Sequence, residues 1–149
     1  MENNITTLTN ILKDQYKTQY DLLEIEQKKT DVLIKGDVEI LNDLMNTEQA
    51  LLMNGNNLEK QREAVCLAMG IERFSLREIV NEYDQDNSKG LKTLLIEFTD
   101  IMFNLKKTGA INTKLLNARL QTVQYMCGKL NDLTGSAINE ASLTYKKLH

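Results

Sequence analysis

The sequence predicts an all-α protein built around a long antiparallel helical hairpin. The chain of 149 residues contains no Pro, no Trp and only 7 Gly, so it lacks the turn chemistry that many short strands require. Apolar residues instead recur at alternating three- and four-residue steps, the spacing of a helix that packs one face against another helix. The composition is that of a folded chain, since 42% of the residues are hydrophobic and 26% are charged.

The first predicted helix ends at Gly36. Glycine adopts the left-handed conformation at a helix end at little cost, and Asp37 is suited to cap the helix that follows. These two residues therefore predict a tight turn into a second, antiparallel helix. Tyr16, Tyr20 and Leu23 are expected to widen the packing stripe of the first helix. That stripe consists of Ile5, Leu8, Leu12, Gln15, Gln19, Leu22, Glu26, Lys29 and Leu33.

The second predicted helix continues the same repeat over four heptads and ends at Gly70. When it is laid back on the first helix, Leu22 faces Leu51 and Ile5 faces Met69. Aliphatic residues then face each other at both ends of the hairpin, and polar or small residues face each other in the middle. The stripe of the second helix consists of Leu41, Leu44, Glu48, Leu51, Gly55, Leu58, Arg62, Val65 and Met69.

The middle of the seam brings two carboxylates, Glu26 and Glu48, opposite each other. They would repel unless a cation or water lay between them, and Lys29 is one helical turn away. The favoured interpretation is a polar layer that fixes the hairpin register, with Glu48 and Arg62 beside seam partners and with no metal or pocket around them. The alternative is an acid/base pair or a di-metal site, but bundle di-metal sites use Glu-x-x-His ligands and the only histidine is His149. The predicted structural seam comprises Glu48, Leu51, Leu58 and Arg62.

A short connecting helix and a loop follow the hairpin. Ser75 and Glu78 form the sequence signature of a capping box, which predicts a helix that runs to about Tyr83. Residues 84–90 then carry the acidic and small residues of a loop. Their spacing faintly resembles a calcium-binding loop, but aliphatic residues stand where its last acidic ligand is expected. A solvated loop is therefore predicted.

A third long helix begins at Leu91, and its half after Gly109 is apolar over two adjacent stripes. Such a width exceeds what one hairpin seam covers, so this segment is expected to need a second partner. A longer bundle or a dimer is the alternative way to cover it. The two stripes are Leu116, Leu120, Val123, Cys127 and Leu130, and Leu115, Met126 and Leu133.

Composition excludes several classes of function. The net charge is -3, with 18 basic and 21 acidic residues spread along the chain, so no basic patch indicates nucleic-acid binding. The sequence shows no leader pattern at its N-terminus and no long apolar run, which predicts a cytoplasmic protein with no membrane insertion. Cys66 and Cys127 lack metal-ligand spacing and are expected to be reduced, buried thiols. No Cys/His pair or Gly-rich phosphate loop is present, so we expect neither an enzyme nor a cofactor.

Three blocks of the sequence resemble one protein family in the right order. Residues 48–62, EQALLMNGNNLEKQR, are similar to the Glu-x-x-Leu-Leu…Leu-Glu-x-x-Arg signature of the FlgN-like flagellar export chaperones. Residues 112–130, NTKLLNARLQTVQYMCGKL, resemble that family's second block, an Asn followed by a leucine pair and an amphipathic helix. Residues 143–145, LTY, resemble its Leu-Tyr-Gly ending, with Lys146 in place of the glycine.

The resemblance implies a non-enzymatic chaperone that binds the C-terminal helices of hook-filament junction proteins, prevents their premature assembly and delivers them to the flagellar export apparatus. The spare stripes after Gly109 independently suit an apolar client helix. We expect a single domain over 1–149, with the hairpin in 1–70 and the short helix, loop, client-binding helix and flexible tail in 75–149. The alternative is a structural bundle or adaptor that self-associates through its C-terminal stripe, and a homo-oligomer is compatible with either. The expected partner-binding residues are Asn112, Leu115, Leu116, Arg119, Leu120, Val123, Leu130 and Tyr145.

Overall fold

The computed structural model describes residues 2–134, which form four α-helices joined by short connections. The all-α class predicted from the sequence is confirmed, and the long helices α1 and α2 pack against each other. The helices are α1 (Glu2–Lys35), α2 (Val38–Met69), α3 (Leu76–Tyr83) and α4 (Leu91–Thr134). The chain divides into two compact units, Met1–Gly109 and Ala110–His149, so the first part of α4 belongs to the first unit and the rest of it to the second.

The turn between α1 and α2 has the predicted chemistry. Gly36 has a φ of 77°, the left-handed conformation that closes a helix, and its amide donates to the Val32 carbonyl at 2.8 Å. Asp37 is the N-cap of α2, where its carboxylate accepts a hydrogen bond from the Ile40 amide at 3.1 Å. These two adjacent residues reverse the chain without a longer loop.

The hairpin has the antiparallel register that the repeat predicts. Gln15 donates to the Glu59 carboxylate at 2.9 Å, and Asn54 donates to the Thr18 hydroxyl at 3.2 Å. Gly55 also lies against Thr18, since a Cβ placed on that glycine would be 3.8 Å from the threonine methyl group. These contacts keep the predicted seam within one helical turn of its expected pairing, and every stripe position of α2 from 41 to 69 is buried or half-buried.

The packing face of α1 differs from the prediction at its edges. Tyr20, which was expected to widen the stripe, is 47% exposed, so that part of the prediction is wrong. Ile11, Thr18 and Ile25 lie outside the predicted stripe but are buried, at seven-residue intervals. A seven-residue interval places residues almost on one line along a helix, so α1 buries a second row of side chains.

The main core of the first unit lies where the open end of the hairpin meets α3 and the start of α4. Leu8, Cys66, Ile79 and Leu91 come from four different helices, and each is at most 1% exposed. The rings of Tyr16 and Phe98 pack edge to face at its margin, with their centroids 5.6 Å apart. The core therefore joins the hairpin to the connecting helix and the beginning of α4.

The capping box that begins α3 is confirmed. The Ser75 hydroxyl accepts from the Glu78 amide at 3.2 Å, and the Glu78 carboxylate reaches back to the Ser75 amide. This fixes where the helix starts and turns its short apolar face, with Ile79 and Val80, into the core.

The loop between α3 and α4 is not fully solvated as predicted, because Asp84 is only 1% exposed. Its Oδ1 accepts from the Lys89 amide at 2.8 Å, and its Oδ2 accepts from the Leu91 amide at 2.7 Å. The Ser88 hydroxyl adds a longer bond of 3.4 Å to Oδ1. A carboxylate that accepts backbone amides at the start of a helix also interacts favourably with the helix dipole. Asp84 thus organises the loop and the first turn of α4.

Replacement of Asp84 by Ala should therefore destabilise the fold by about 2–4 kcal/mol, because the amides of Lys89 and Leu91 lose their buried acceptor. Chemical denaturation followed by circular dichroism measures this difference. Asp86→Ala is the matched control, since the Asp86 carboxylate accepts from the Ser88 amide at an exposed position and its loss should have a much smaller effect. Equal losses in the two variants would show that Asp84 is an ordinary loop residue.

Candidate functional site

The half of α4 that belongs to the second unit carries the predicted partner-binding residues. α4 remains helical through Gly109 and Gly128, so the residues between them share one regular helix. Tyr145 lies outside the described residues. The other predicted residues fall into three degrees of exposure: Asn112 is buried at 5%, Leu115, Leu120 and Val123 are half-buried, and Leu116, Arg119 and Leu130 are exposed.

Leu116, Leu120 and Val123 form an apolar row whose members differ in exposure. They stand four and three residues apart, so they lie on one side of the helix. Leu116 is 44% exposed, whereas Leu120 and Val123 are half-buried. The row is therefore not fully buried, and its exposed apolar surface is available for contact with another helix.

The second predicted stripe is more exposed than the first and longer than the sequence predicts. Met126 and Leu133 are 57% and 83% exposed. Ile111, at 43% exposure, extends this stripe by one turn, because it stands four residues before Leu115. Ile111 was missed because it comes directly before the polar Asn112, although its spacing from Leu115 is a usable signal.

The charges along this segment are mostly basic. Lys114, Arg119 and Lys129 are exposed, and Asp132 is the only acidic residue between positions 110 and 134. The Lys129 ammonium lies 5.5 Å from the centre of the Tyr125 ring, within cation–π range. The segment thus combines open apolar rows with a positive border, an arrangement suited to binding a helix rather than to bond-making chemistry.

Two further findings concern other kinds of site. Within residues 2–134, no group of three or more His, Cys, Asp or Glu side chains is placed to hold a metal ion. None of the helices in that same range combines the length and apolar character needed to span a membrane.

The polar middle of the hairpin seam is held by Lys29. Its ammonium group donates to Glu26 Oε1 on the same helix and to Glu48 Oε2 on α2, each at 3.0 Å. The side chains of Lys29, Glu26 and Glu48 are only 15%, 14% and 20% exposed. The cation expected between the two carboxylates is therefore the lysine of the same seam.

Burial and charge shift the pKa values of this cluster. Desolvation alone would lower the pKa of Lys29, but hydrogen bonds and charges from Glu48 and Glu26 outweigh it, so the pKa is raised above 10.5. The pKa of Glu48 is raised above 4.5, first by desolvation and then by Glu26, against the opposing effect of Lys29. The folded state therefore holds protons on both Lys29 and Glu48 more tightly than the unfolded chain does.

A second polar layer surrounds Arg62. Its Nε donates to Glu59 Oε2 at 2.9 Å, and Nη2 donates to the other carboxylate oxygen, so the two side chains form a bidentate ion pair. The pKa of Glu59 is lowered by the Arg62 hydrogen bonds, with Gln15 as a further donor. Burial raises the pKa of the Cys66 thiol, although the Arg62 guanidinium opposes it. Cys66 thus behaves as the small buried hydrophobe that was expected, whereas Cys127 is only half-buried.

The aliphatic members of the predicted seam also lie on the packing side of α2. Leu58 is 8% exposed and Leu51 is half-buried. The expectation that Glu48 and Arg62 would have no pocket around them is wrong. Glu48 borders an open groove of about 680 Å³ on α2, and Arg62 borders one of about 280 Å³ beside Phe74.

Comparison with known proteins identifies the family of the chain. A family model described as FlgN protein matches residues 1–147, nearly the whole sequence. The chain belongs to the FlgN family. No curated protein and no solved structure matches it.

Membership in the FlgN family confirms the resemblance found in the sequence and makes the protein a flagellar export chaperone. FlgN chaperones bind flagellar export substrates, and the family is not known as enzymatic. α4 has apolar rows that remain partly exposed, and the hairpin has a register fixed by polar contacts. Both are therefore features of a binding protein.

The charge cluster of this FlgN chain generates a prediction about stability. Lys29→Met should destabilise the fold by about 1–3 kcal/mol at neutral pH, because it leaves two partly buried carboxylates facing each other; partial exposure keeps the loss below that of a fully buried pair. Chemical denaturation of the variant and the wild type measures the difference. The loss should shrink as the pH falls toward 4.5, since the folded variant takes up a proton on Glu48 more readily than the unfolded chain.

In the wild type, stability should also depend on pH, through the proton bound at Lys29. The contribution of Lys29 is present below pH 10.5 and should fall as the pH rises through the raised pKa. The control is the triple variant Glu26→Gln, Lys29→Met, Glu48→Gln, which should recover most of the stability because no charge is left unpaired. A Lys29→Met variant as stable as the wild type at neutral pH would contradict the assignment.

Proposed function

We propose that this protein is a cytoplasmic chaperone for the hook-filament junction proteins. It binds their C-terminal helical segments through the half of α4 that follows Gly109, prevents their premature assembly and delivers them to the flagellar export apparatus. It performs no catalysis and needs no cofactor. Membership in a flagellar export chaperone family supports the class of activity, and the exposed apolar rows of α4 support the choice of surface.

The observation that carries the proposal is the concentration of uncovered apolar side chains along this segment. Large apolar residues at exposed positions are unremarkable singly, but a continuous series along one helix indicates a contact surface. Binding of a client helix to this series would bury both the series and the exposed apolar face of the client. The exposed members of the series are Ile111, Leu116, Met126, Leu130 and Leu133, with exposures between 43% and 83%.

The positive border of the segment defines the chemistry of the client further. Lys114, Arg119 and Lys129 line the apolar rows, so a client helix with acidic residues beside its apolar face would be complementary. Such charges would speed association and set the orientation of the client more than they would raise the affinity. Asn112 and Leu115, at the covered beginning of the segment, are proposed to position the surface, and Tyr145 is proposed as an additional contact.

The proposal predicts that Leu116→Asp removes client capture while leaving the fold nearly intact. A charge in a desolvated helix contact weakens binding by several kcal/mol, whereas Leu116 is 44% exposed and should change folding stability by less than about 1 kcal/mol. Leu120→Asp and Val123→Asp should also abolish capture, with a larger effect on the melting temperature because both side chains are half-buried. A pull-down with the C-terminal segment of a junction protein and thermal melts of the same variants measure both effects.

Gln121→Asp is the matched control, because it adds the same charge at an exposed position of the same helix, about 140° around the helix from Leu116. It should capture the client like the wild type. If all three Asp variants in the apolar row retain capture, the surface is wrongly assigned. If capture is lost only where the melt collapses, the row is ordinary core, and a structural bundle that self-associates through this stripe becomes the better account.

A further inference from the structure

The middle of α2 contains the one Asn-Gly pair of the sequence, Asn54 followed by Gly55. An asparagine before glycine is the pair most prone to deamidation, because glycine has no side chain to hinder attack on the asparagine amide and its backbone turns freely. Asn54 is at an exposed position, and its Nδ2 donates to the Thr18 hydroxyl on α1 at 3.2 Å. A reactive dipeptide therefore takes part in a contact between the two arms of the hairpin.

Deamidation is a cyclisation followed by hydrolysis, and water is its only co-reactant. The backbone nitrogen of Gly55 loses its proton to solvent and attacks Cγ of Asn54. A new N–C bond forms, and the side-chain nitrogen takes up a proton and leaves as ammonia, so that a cyclic succinimide remains. Water then opens either C–N bond of this imide, and the product is aspartate or isoaspartate at position 54.

The folded hairpin opposes this cyclisation in two ways. α2 is helical from Val38 to Met69, so the Gly55 amide hydrogen is donated to a carbonyl of the preceding turn and the nitrogen is not free to attack. The Asn54 side chain is held by Thr18, which is only 4% exposed, and a Cβ on Gly55 would lie 3.8 Å from the methyl group of the same threonine. Cyclisation therefore requires that this part of α2 unwinds and separates from α1.

We propose that Asn54 is a spontaneous deamidation site that the closed hairpin protects, so that its modification follows opening of the hairpin. The rate in the folded protein is that of the unfolded chain multiplied by the fraction of molecules open around Asn54. The product weakens the structure that protected it. A carboxylate cannot donate to the Thr18 hydroxyl, and isoaspartate adds a methylene to the backbone, which a regular helix does not accommodate. The site therefore limits the lifetime of chains whose hairpin opens often.

Peptide mapping by mass spectrometry, after incubation of the full chain at mildly alkaline pH, measures conversion of the Asn54 amide to an acid. Enzymatic methylation of the same samples detects isoaspartate. Asn54 should react fast in concentrated urea and slowly in buffer, and its rate should rise as urea approaches the unfolding transition. Asn56 and Asn57 are internal controls, because both are exposed on the same helix but are followed by Asn and Leu. They should react slowly in both conditions.

Three variants test whether opening of the hairpin controls the reaction. Lys29→Met removes the cation that holds the hairpin seam and should raise the rate in buffer about 5- to 150-fold, the factor that matches its predicted loss of stability. Leu116→Asp, on α4, should stay within about fivefold of the wild type. Gly55→Ala should slow the reaction in urea, where folding has no influence.

Three results would each overturn the proposal. The first is a wild-type rate in buffer equal to that in urea. The second is equal reaction in urea at Asn54 and at the two control asparagines. The third is a Lys29→Met protein that is less stable than the wild type yet reacts no faster. If that variant does not fold, a wild-type rate that stays level as urea approaches the transition has the same meaning.

Discussion

The ammonium group of Lys29 between Glu26 and Glu48 is the contact on which the hairpin depends. The aliphatic contacts fix the register less sharply, because Leu44, Leu51 and Leu58 repeat at seven-residue spacing and a slide of one heptad would place another leucine opposite Leu22. The charge cluster does not tolerate such a slide, since it would leave carboxylates and the ammonium group without partners in a site where they are only 14–20% exposed. Specificity of register therefore comes from the least hydrophobic part of the seam.

The register in turn positions everything built on the open end of the hairpin. It brings Leu8 of α1 beside Cys66 of α2, and α3 closes over them with Ile79. Asp84 then connects the end of α3 to the start of α4, because its carboxylate accepts a hydrogen bond from the Leu91 amide. Each step uses a hydrogen-bonding group to fix a place that hydrophobic packing alone would leave loosely defined. The start of α4 is therefore held in place by both core packing and hydrogen bonds.

Much of the fold was predictable because it is local. The repeat, the left-handed Gly36, the Asp37 cap and the capping box at Ser75 each determine structure within a few residues of themselves, and each prediction is confirmed. The burial of Asp84 was not predictable, because its acceptors are satisfied by backbone amides that leave no pattern in the sequence.

The candidate site was predictable in a more limited way. Spacing showed that the second half of α4 is apolar over more than one face, but spacing does not show which side chains the fold covers. The structure supplies that distinction, with Asn112 buried although polar and Leu116 exposed although apolar. The same limit explains why Tyr20 was wrongly expected to widen the packing stripe of α1 and why the buried Ile11 was missed, since the width of a packing face depends on which elements lie beside the helix.

Hydrogen–deuterium exchange of the protein, alone and with the C-terminal segment of a junction protein, tests the central claim most directly. The claim is that a rigid hairpin supports a separate binding surface on α4. It predicts that amides in residues 110–134 gain protection when the client binds, while exchange around Lys29 and Glu48 stays unchanged. New protection confined to α1 and α2, with no change in residues 110–134, would contradict it.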